Sequence, residues 1–242
     1  MREAIHIGID GCKAGWFVIG IRKDGRASVD VFGDIEKVIT ACPHARQILI
    51  DIPIGLPHHD KRRCDFEARK VLSPRRSSSV FPVPSRNSLY ASTYEEACQI
   101  NLQLMGNKLS KQTWNIRNKI TEVDSYLRRF PQQQSLLREC HPEVAFWNFN
   151  GQSPMVHSKK TAEGRAERLG VIRPYLPFAQ EYLNQAMETF PRKILAQDDI
   201  LDAMILAISA TFDLKSLPKQ APLDRQGLAM EIVYADLSEN SR

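Results

Sequence analysis

At 242 residues with 43% apolar side chains, the chain is long enough for one large domain with a proper core, and its composition excludes a fibrous or disordered protein. The formal net charge of +5 favours an anionic partner such as nucleic acid or a phosphorylated compound, and suits a bland basic surface equally well. Cys12, Cys42, Cys64, Cys98 and Cys140 are odd in number and contain no C-x-x-C pair, which speaks against a disulfide framework or a zinc cluster; with no leader-like start and no apolar stretch near the ~20 residues that span a bilayer, a cytoplasmic protein is expected.

Ile5 to Asp10, Trp16 to Ile21 and Ser28 to Phe32 are β-branched or aromatic runs separated by Gly-containing turns and predict an antiparallel meander. Asp34 to Thr40 spaces Ile35, Val38 and Ile39 as a helix does, with Asp34 as its N-cap, and Ile48-Leu49-Ile50 then forms a fourth strand closed by Asp51. From Pro53 to about Gln134 the chain turns rich in Pro, Ser and Arg, with polar helices near Thr93 to Met105 and Gln112 to Arg129. That is too long for a connection and predicts an insertion at about 54–135 within a single domain. Leu136 to Cys140 reads as a fifth strand, and Pro142 to Asn148, Thr161 to Arg173 and Phe178 to Thr189 read as helices. Asp199 to Asp213 carries Leu201, Met204, Ile205, Ile208 and Phe212 on one stripe; a last strand is expected at Gly227 to Tyr234, before a frayed tail at Ser238 to Arg242.

Acidic residues stand where these elements begin or end. Asp10 closes the first strand, Asp51 the fourth, and Asp198-Asp199-Ile200-Leu201-Asp202 opens the long helix. Each has an ordinary reading: Asp10-Gly11 is a common hairpin turn, Asp51 fits a turn cap, and Asp198 or Asp199 fits a helix N-terminus, where negative charge stabilises by about 0.3–1 kcal/mol. Asp202 lies within the apolar stripe and needs a partner. Converging carboxylates repel one another unless a cation joins them, so a divalent metal accounts for all of them at once.

Glu139 and Glu143 bracket His141-Pro142 and suit capping or ion pairing as well as ligation. His141 reads as a structural histidine and His58-His59 as an exposed pair, and no H-E-x-x-H spacing points to zinc. Basic residues gather in the insertion and later helices, and Arg75-Arg76-Ser77-Ser78-Ser79-Val80-Phe81-Pro82 has the composition of a phosphate-contacting loop or of a plain surface loop.

Taken together, the segments Gly8-Ile9-Asp10-Gly11-Cys12-Lys13-Ala14-Gly15-Trp16, Ile50-Asp51-Ile52-Pro53-Ile54-Gly55-Leu56-Pro57, Ser79-Val80-Phe81-Pro82, Leu109-Ser110-Lys111-Gln112, Glu139-Cys140-His141-Pro142-Glu143, Lys159-Lys160 with Gly164-Arg165, and Asp198-Asp199-Ile200-Leu201-Asp202-Ala203 resemble the DUF429 family. That family is described as predicted nucleases of ribonuclease H-like fold. The resemblance implies an α/β fold whose mixed sheet has three antiparallel strands followed by parallel ones, flanked by helices. It implies Asp10, Asp51, Asp199 and Asp202 as ligands of Mg²⁺ or Mn²⁺, and the Asp199-x-x-Asp202-Ala spacing is similar to the end helix of Holliday-junction resolvases. Glu36 is a loose counterpart of the glutamate some members carry on the first helix; Glu139 in its place, or a single metal, are the alternatives.

The expected activity is hydrolysis of DNA or RNA phosphodiesters by Asp10, Asp51, Glu139, Asp199 and Asp202, with Lys13, Arg63, Arg75, Lys111, Lys160 and Arg165 holding phosphates. A nucleotide-binding phosphotransferase and a non-catalytic nucleic-acid-binding scaffold are the other readings.

Overall fold

A computed structural model of the chain describes residues 1–238, and its framework is a five-stranded mixed sheet flanked by helices. The expected tail beyond Ser238 lies outside the described residues. β1 (Ala4–Cys12), β2 (Gly15–Arg22) and β3 (Ala27–Phe32) make the antiparallel meander. α1 (Ile35–Ala41) follows, with the Asp34 carboxylate accepting from the Lys37 amide at 2.8 Å, and leads to β4 (Gln47–Ile50), parallel to β1. The segment at 54–135 holds α2 (Arg63–Val71), α3 (Arg86–Leu89), α4 (Tyr94–Met105) and α5 (Lys111–Arg129); Thr93 and Ser110 cap the last two. β5 (Leu137–Glu139) then pairs parallel with β4, completing the order β3-β2-β1-β4-β5. α6 (Pro142–Phe149), α7 (Ala162–Ile172), α8 (Ala179–Thr189) and α9 (Gln197–Ser209) come next.

The chain ends in a separate antiparallel pair, β6 (Leu214–Leu217) and β7 (Ile232–Ala235). The strand expected at Gly227 to Tyr234 therefore starts later. Asp224 accepts from the Gln226 and Leu228 amides at 2.7 and 3.0 Å, and Gly227 has φ +79°, so those residues form a turn. The helix expected over Asp199 to Asp213 begins two residues earlier and stops at Ser209, leaving Leu214 to β6.

Strand alternation decides which side chains meet which helices. Ile7, Ile9, Val18, Ile48 and Ile50 face one way and are covered by Ile35 and Val38 of α1 and by Ile120, Val123 and Leu127 of α5. The long helix of the inserted segment is thus part of the main core. Phe17, Ile19, Ile21 and Leu49 face the other way, under Phe146, Leu169, Leu183 and Met204 of α6 to α9. Every residue of α9 from Ile200 to Ser209 is buried, the signature of a helix enclosed on all sides.

Contact between α9 and β1 is closest at Gly8. A Cβ there would lie 2.1 Å from the carbonyl oxygen of Ala203 and 2.3 Å from the amide nitrogen of Ala207, so the missing side chain lets the two backbones touch. All five cysteines are free and buried, and among the described residues no helix is long and apolar enough to cross a membrane.

Candidate metal centre

Two residues beyond Gly8 on the same face of β1 stands Asp10, and the turn of α9 ahead of Ala203 carries Asp199 and Asp202. The close crossing therefore brings the helix acids to the end of the strand. Asp51 arrives through strand pairing: Ile50 is registered with Ile9, and the Asp51 amide donates to the Ile9 carbonyl at 3.0 Å. By alternation Asp51 points to the side opposite Ile50, which is the α9 side. Asp10, Asp51, Asp199 and Asp202 consequently line one cleft of about 480 Å³, formed where the parallel strands end. Its walls include Lys119, His141, Glu143, Lys159 and Lys160.

Burial and mutual repulsion raise these carboxyls. Asp10 is only 7% exposed and accepts from the Gly11 amide at 2.7 Å; loss of water, then the charges of Asp51 and Asp202, push it well above the usual carboxylate range. Desolvation likewise raises Asp51, against His141 and Lys159, and takes Asp202 up to about 6 in spite of Lys159. Asp199 is raised by burial as well, although its Oδ2 accepts from the Ala196 amide at 3.0 Å and so closes the first turn of α9. The capping role and the site role of Asp199 coexist.

Lys159 is the counterweight. Its Nζ lies 2.5 Å from Asp202 Oδ2 and 3.7 Å from Asp198 Oδ2. Burial disfavours its charge, but Asp202 and Asp10 overcome that and hold the ammonium above the ordinary lysine value. Nothing in the sequence pairs Lys159 with Asp202, 43 residues away.

Glu139, expected among the catalytic acids, is elsewhere. Its register with Ile50 puts it on the α5 side of the sheet, opposite Asp10 and Asp51. There its carboxylate receives Arg62 Nη1 and Nη2 at 2.8 and 2.7 Å and the Ile54 amide at 2.7 Å, and burial takes the carboxyl up to about 7 despite the guanidinium. Arg62 is itself fully buried and also binds Asp65. The acid that does reach the cleft from this region is Glu143, in the first turn of α6. Glu36 pairs with exposed Arg129 away from the cleft.

The expected phosphate-binding residues divide. Lys160 lines the cleft, and Arg165 lines an adjoining groove with Lys159, Lys160 and Arg192. Lys13, Arg63, Arg75 and Lys111 are exposed outside the cleft lining: Arg63 pairs with Glu67 at 2.8 Å, and Lys111 lies 3.6 Å from the centre of the Tyr94 ring. Neighbours take their places. Arg76 and Gln112 line the cleft instead, with Arg76 reaching across to the Met155 and Val156 carbonyls at 2.9 and 2.7 Å. One step along an irregular loop was enough to exchange Arg75 for Arg76.

The donor set is all oxygen, which suits a hard divalent cation. A second observation agrees: Glu143 is buried, lines the cleft, and keeps Oε2 without a hydrogen-bond partner. As they stand, though, no three His, Cys, Asp or Glu side chains among the described residues converge closely enough to hold a metal ion; the carboxylates are arranged about Lys159.

No curated protein and no solved structure matches this chain. The model of one family, described as "Protein of unknown function (DUF429)", matches residues 8–221. Since that match spans most of the sequence, including Asp10, Asp51, Glu143, Lys159 and Asp202, the chain belongs to the DUF429 family.

Proposed function

We propose that this protein is a divalent-metal-dependent phosphodiester hydrolase acting on DNA or RNA in the cytoplasm, with the strand order of a ribonuclease H-like fold. The observation that carries the reading is the convergence, in one cleft, of carboxylates from β1, β4 and α9, with basic residues on the rim. Drawn inward from their positions about Lys159, Asp10, Asp51 and Glu143 would hold Mg²⁺ or Mn²⁺, with Asp199 and Asp202 at the edge of the site. Bound there, the ion supplies Lewis-acid polarisation of a phosphate oxygen and acidification of water.

The chain's own residues do the rest. Lys160 and, farther out, Arg165 hold phosphates flanking the one that is cut, so affinity falls as salt rises. His141 accepts the Glu143 amide at Nδ1 (3.2 Å), and its Nε2 lies 3.3 Å from the Ser79 carbonyl. Both ring nitrogens are thereby held by the backbone, which fixes the orientation of the imidazole at the cleft wall. The aliphatic stem of Lys119 lies against Gly11, and its ammonium donates to the Gly15 carbonyl, bracing the turn after β1.

The experiment is cleavage of branched, single-stranded, hybrid and duplex substrates with Mg²⁺ or Mn²⁺ by the wild type, Asp10→Asn and Asp202→Asn. Activity in the wild type and its loss in both variants supports the reading; equal activity in all three removes it. The ion pair between Lys159 and Asp202 favours one other reading, a nucleic-acid-binding scaffold whose acids are already neutralised. Such a scaffold binds oligonucleotides and takes up no Mn²⁺.

A further inference from the structure

The cleft opens into a groove of about 710 Å³ that shares Lys159, Lys160 and Asp199 with it. Arg165 of α7, Met187 of α8, Arg192 and Leu195 of the loop that follows, and the first turn of α9 line the rest. The charged lining is four cations, Lys159, Lys160, Arg165 and Arg192, and two acids, Asp198 and Asp199. Both acids are already engaged: Asp198 Oδ2 lies 3.7 Å from Lys159 Nζ, and Asp199 Oδ2 accepts from the Ala196 amide at 3.0 Å. Lys159 is in turn seated on Asp202. Lys160, Arg165 and Arg192 have no acidic partner among the described residues, so the groove presents three open cations beside a cleft floored by carboxylates.

These cations sit on backbone that is held in place. The loop carrying Lys159 and Lys160 is pressed onto α7 at Gly164, where an added Cβ would lie 1.8 Å from the Ser158 carbonyl oxygen. Glu167 of α7 accepts from the Val156 and His157 amides at 2.7 and 2.9 Å, while fully buried Arg168 donates to the His157 carbonyl at 3.2 Å and to Glu143 Oε1. Arg165 Nη1 donates to the Lys160 carbonyl at 2.9 Å, which sets its guanidinium beside that loop. The Arg192 loop is tied as well: the Lys13 amide donates to the Ile194 carbonyl at 3.1 Å, joining it to the turn after β1. Cations fixed before a ligand arrives lose less freedom when it binds.

We propose that this groove seats the single strand of nucleic acid that continues from the phosphate in the cleft, with Lys160, Arg165 and Arg192 holding its backbone phosphates. Resting on the hydrolase reading, this names a single-stranded segment as the substrate. The acids on the cleft floor are buried, Asp10 to 7% and Asp202 to 1% exposure, so a reacting phosphate has to enter between the walls, and Arg76 ties those walls together through the Met155 and Val156 carbonyls. Within the groove, Leu195 and Met187 give an apolar backing beside the cations. A charged track next to a surface for unstacked bases is how single strands are held; in a duplex the bases are stacked on one another and do not reach such a surface.

The test is fluorescence anisotropy of labelled oligothymidylates and oligouridylates of about two to about twelve nucleotides with the full chain, in EDTA so that no cleavage intervenes. Affinity is expected to rise with length before levelling off, and to exceed that for a blunt hairpin duplex. Arg192→Gln and Arg165→Gln should each reduce the slope of log affinity against log salt by about 0.7, the share of one single-strand phosphate. Lys23→Gln, an exposed cation in the turn between β2 and β3 at the other end of the sheet, should leave the slope unchanged. A wild-type slope in Arg192→Gln, a duplex bound as tightly as the single strand, or affinity that stops rising at the dinucleotide overturns the inference and leaves the hydrolase reading to its cleavage assay. Length-dependent binding by a chain that cuts nothing removes the hydrolase reading and leaves the groove standing. No binding of either oligonucleotide at low salt overturns both.

Discussion

Replacing Gly8 by alanine tests whether the backbone contact between β1 and α9 builds the site. The new Cβ would sit 2.1 Å from the Ala203 carbonyl oxygen, whereas real Cβ atoms essentially never come closer than 3.0 Å, so the helix must withdraw by at least 0.9 Å (3.0 − 2.1). The obstructing atoms are backbone, and no rotamer change relieves them. Forcing a methyl into such a contact costs about 1–3 kcal/mol, and for a domain of this length each kcal/mol lowers Tm by about 2–4 °C. A fall of about 2–12 °C is therefore expected in thermal unfolding. Because Asp199 and Asp202 ride on the same helix, a shift near 1 Å also lowers cleavage by about 10²-fold beyond any loss of folded protein. Gly170→Ala is the control: nothing lies within 4 Å of its added Cβ, it is helical, and it should stabilise by up to about 1 kcal/mol. A Gly8→Ala protein with wild-type Tm and wild-type activity would show that α9 does not depend on this contact for its position.

Other outcomes follow from the same structure. Arg62→Met removes the partner of two buried carboxylates and should cost about 3–5 kcal/mol in urea unfolding, while Glu139→Gln should alter stability and leave Mn²⁺ affinity unchanged; loss of Mn²⁺ binding by folded Glu139→Gln would restore that residue to the site. Asp202 has a folded pKa of about 6, above its ordinary value, so the stability linked to its protonation is complete below the ordinary carboxylate range and is lost as pH rises through 6. Without metal, the stability of the wild type relative to Asp202→Asn should therefore improve from pH 7.5 to pH 5, and a difference constant in pH would refute the assignment. Mn²⁺ affinity should move the opposite way and weaken on acidification, as titrations at the two pH values would record. Lys160→Ala should reduce the slope of log affinity against log salt by about 1 for any oligonucleotide that binds, and an unchanged slope would place Lys160 off the phosphate path.

What the sequence revealed depended on how local each signal was. Asp10 and Asp51 were legible because each ends an apolar strand, and parallel pairing of the first and fourth strands sets such ends side by side. Asp202 was legible because a charge inside an apolar stripe demands a partner. Glu139 was misplaced for a reason of one residue: β5 has three residues, too few for alternation to declare its faces, and only the register with Ile50 reveals which way Glu139 points. Glu143, Arg168 and Lys159 are brought together by the packing of α6, α7 and the loop before it, distances of sequence that no spacing rule spans. The two-stranded pair at the end was obscured because Leu214 to Leu217 continues directly from an apolar helix.

Arg62 has one more consequence. Its enclosed guanidinium moors the root of the inserted segment to the last strand of the main sheet, and farther along the same segment Arg76 grips the opposite bank through two carbonyl oxygens. A span fastened at both ends does not swing like a door. The wall of the cleft that carries Arg76 is thus tied to the main sheet at one end and to the stretch before α7 at the other, so displacing it means breaking both sets of bonds.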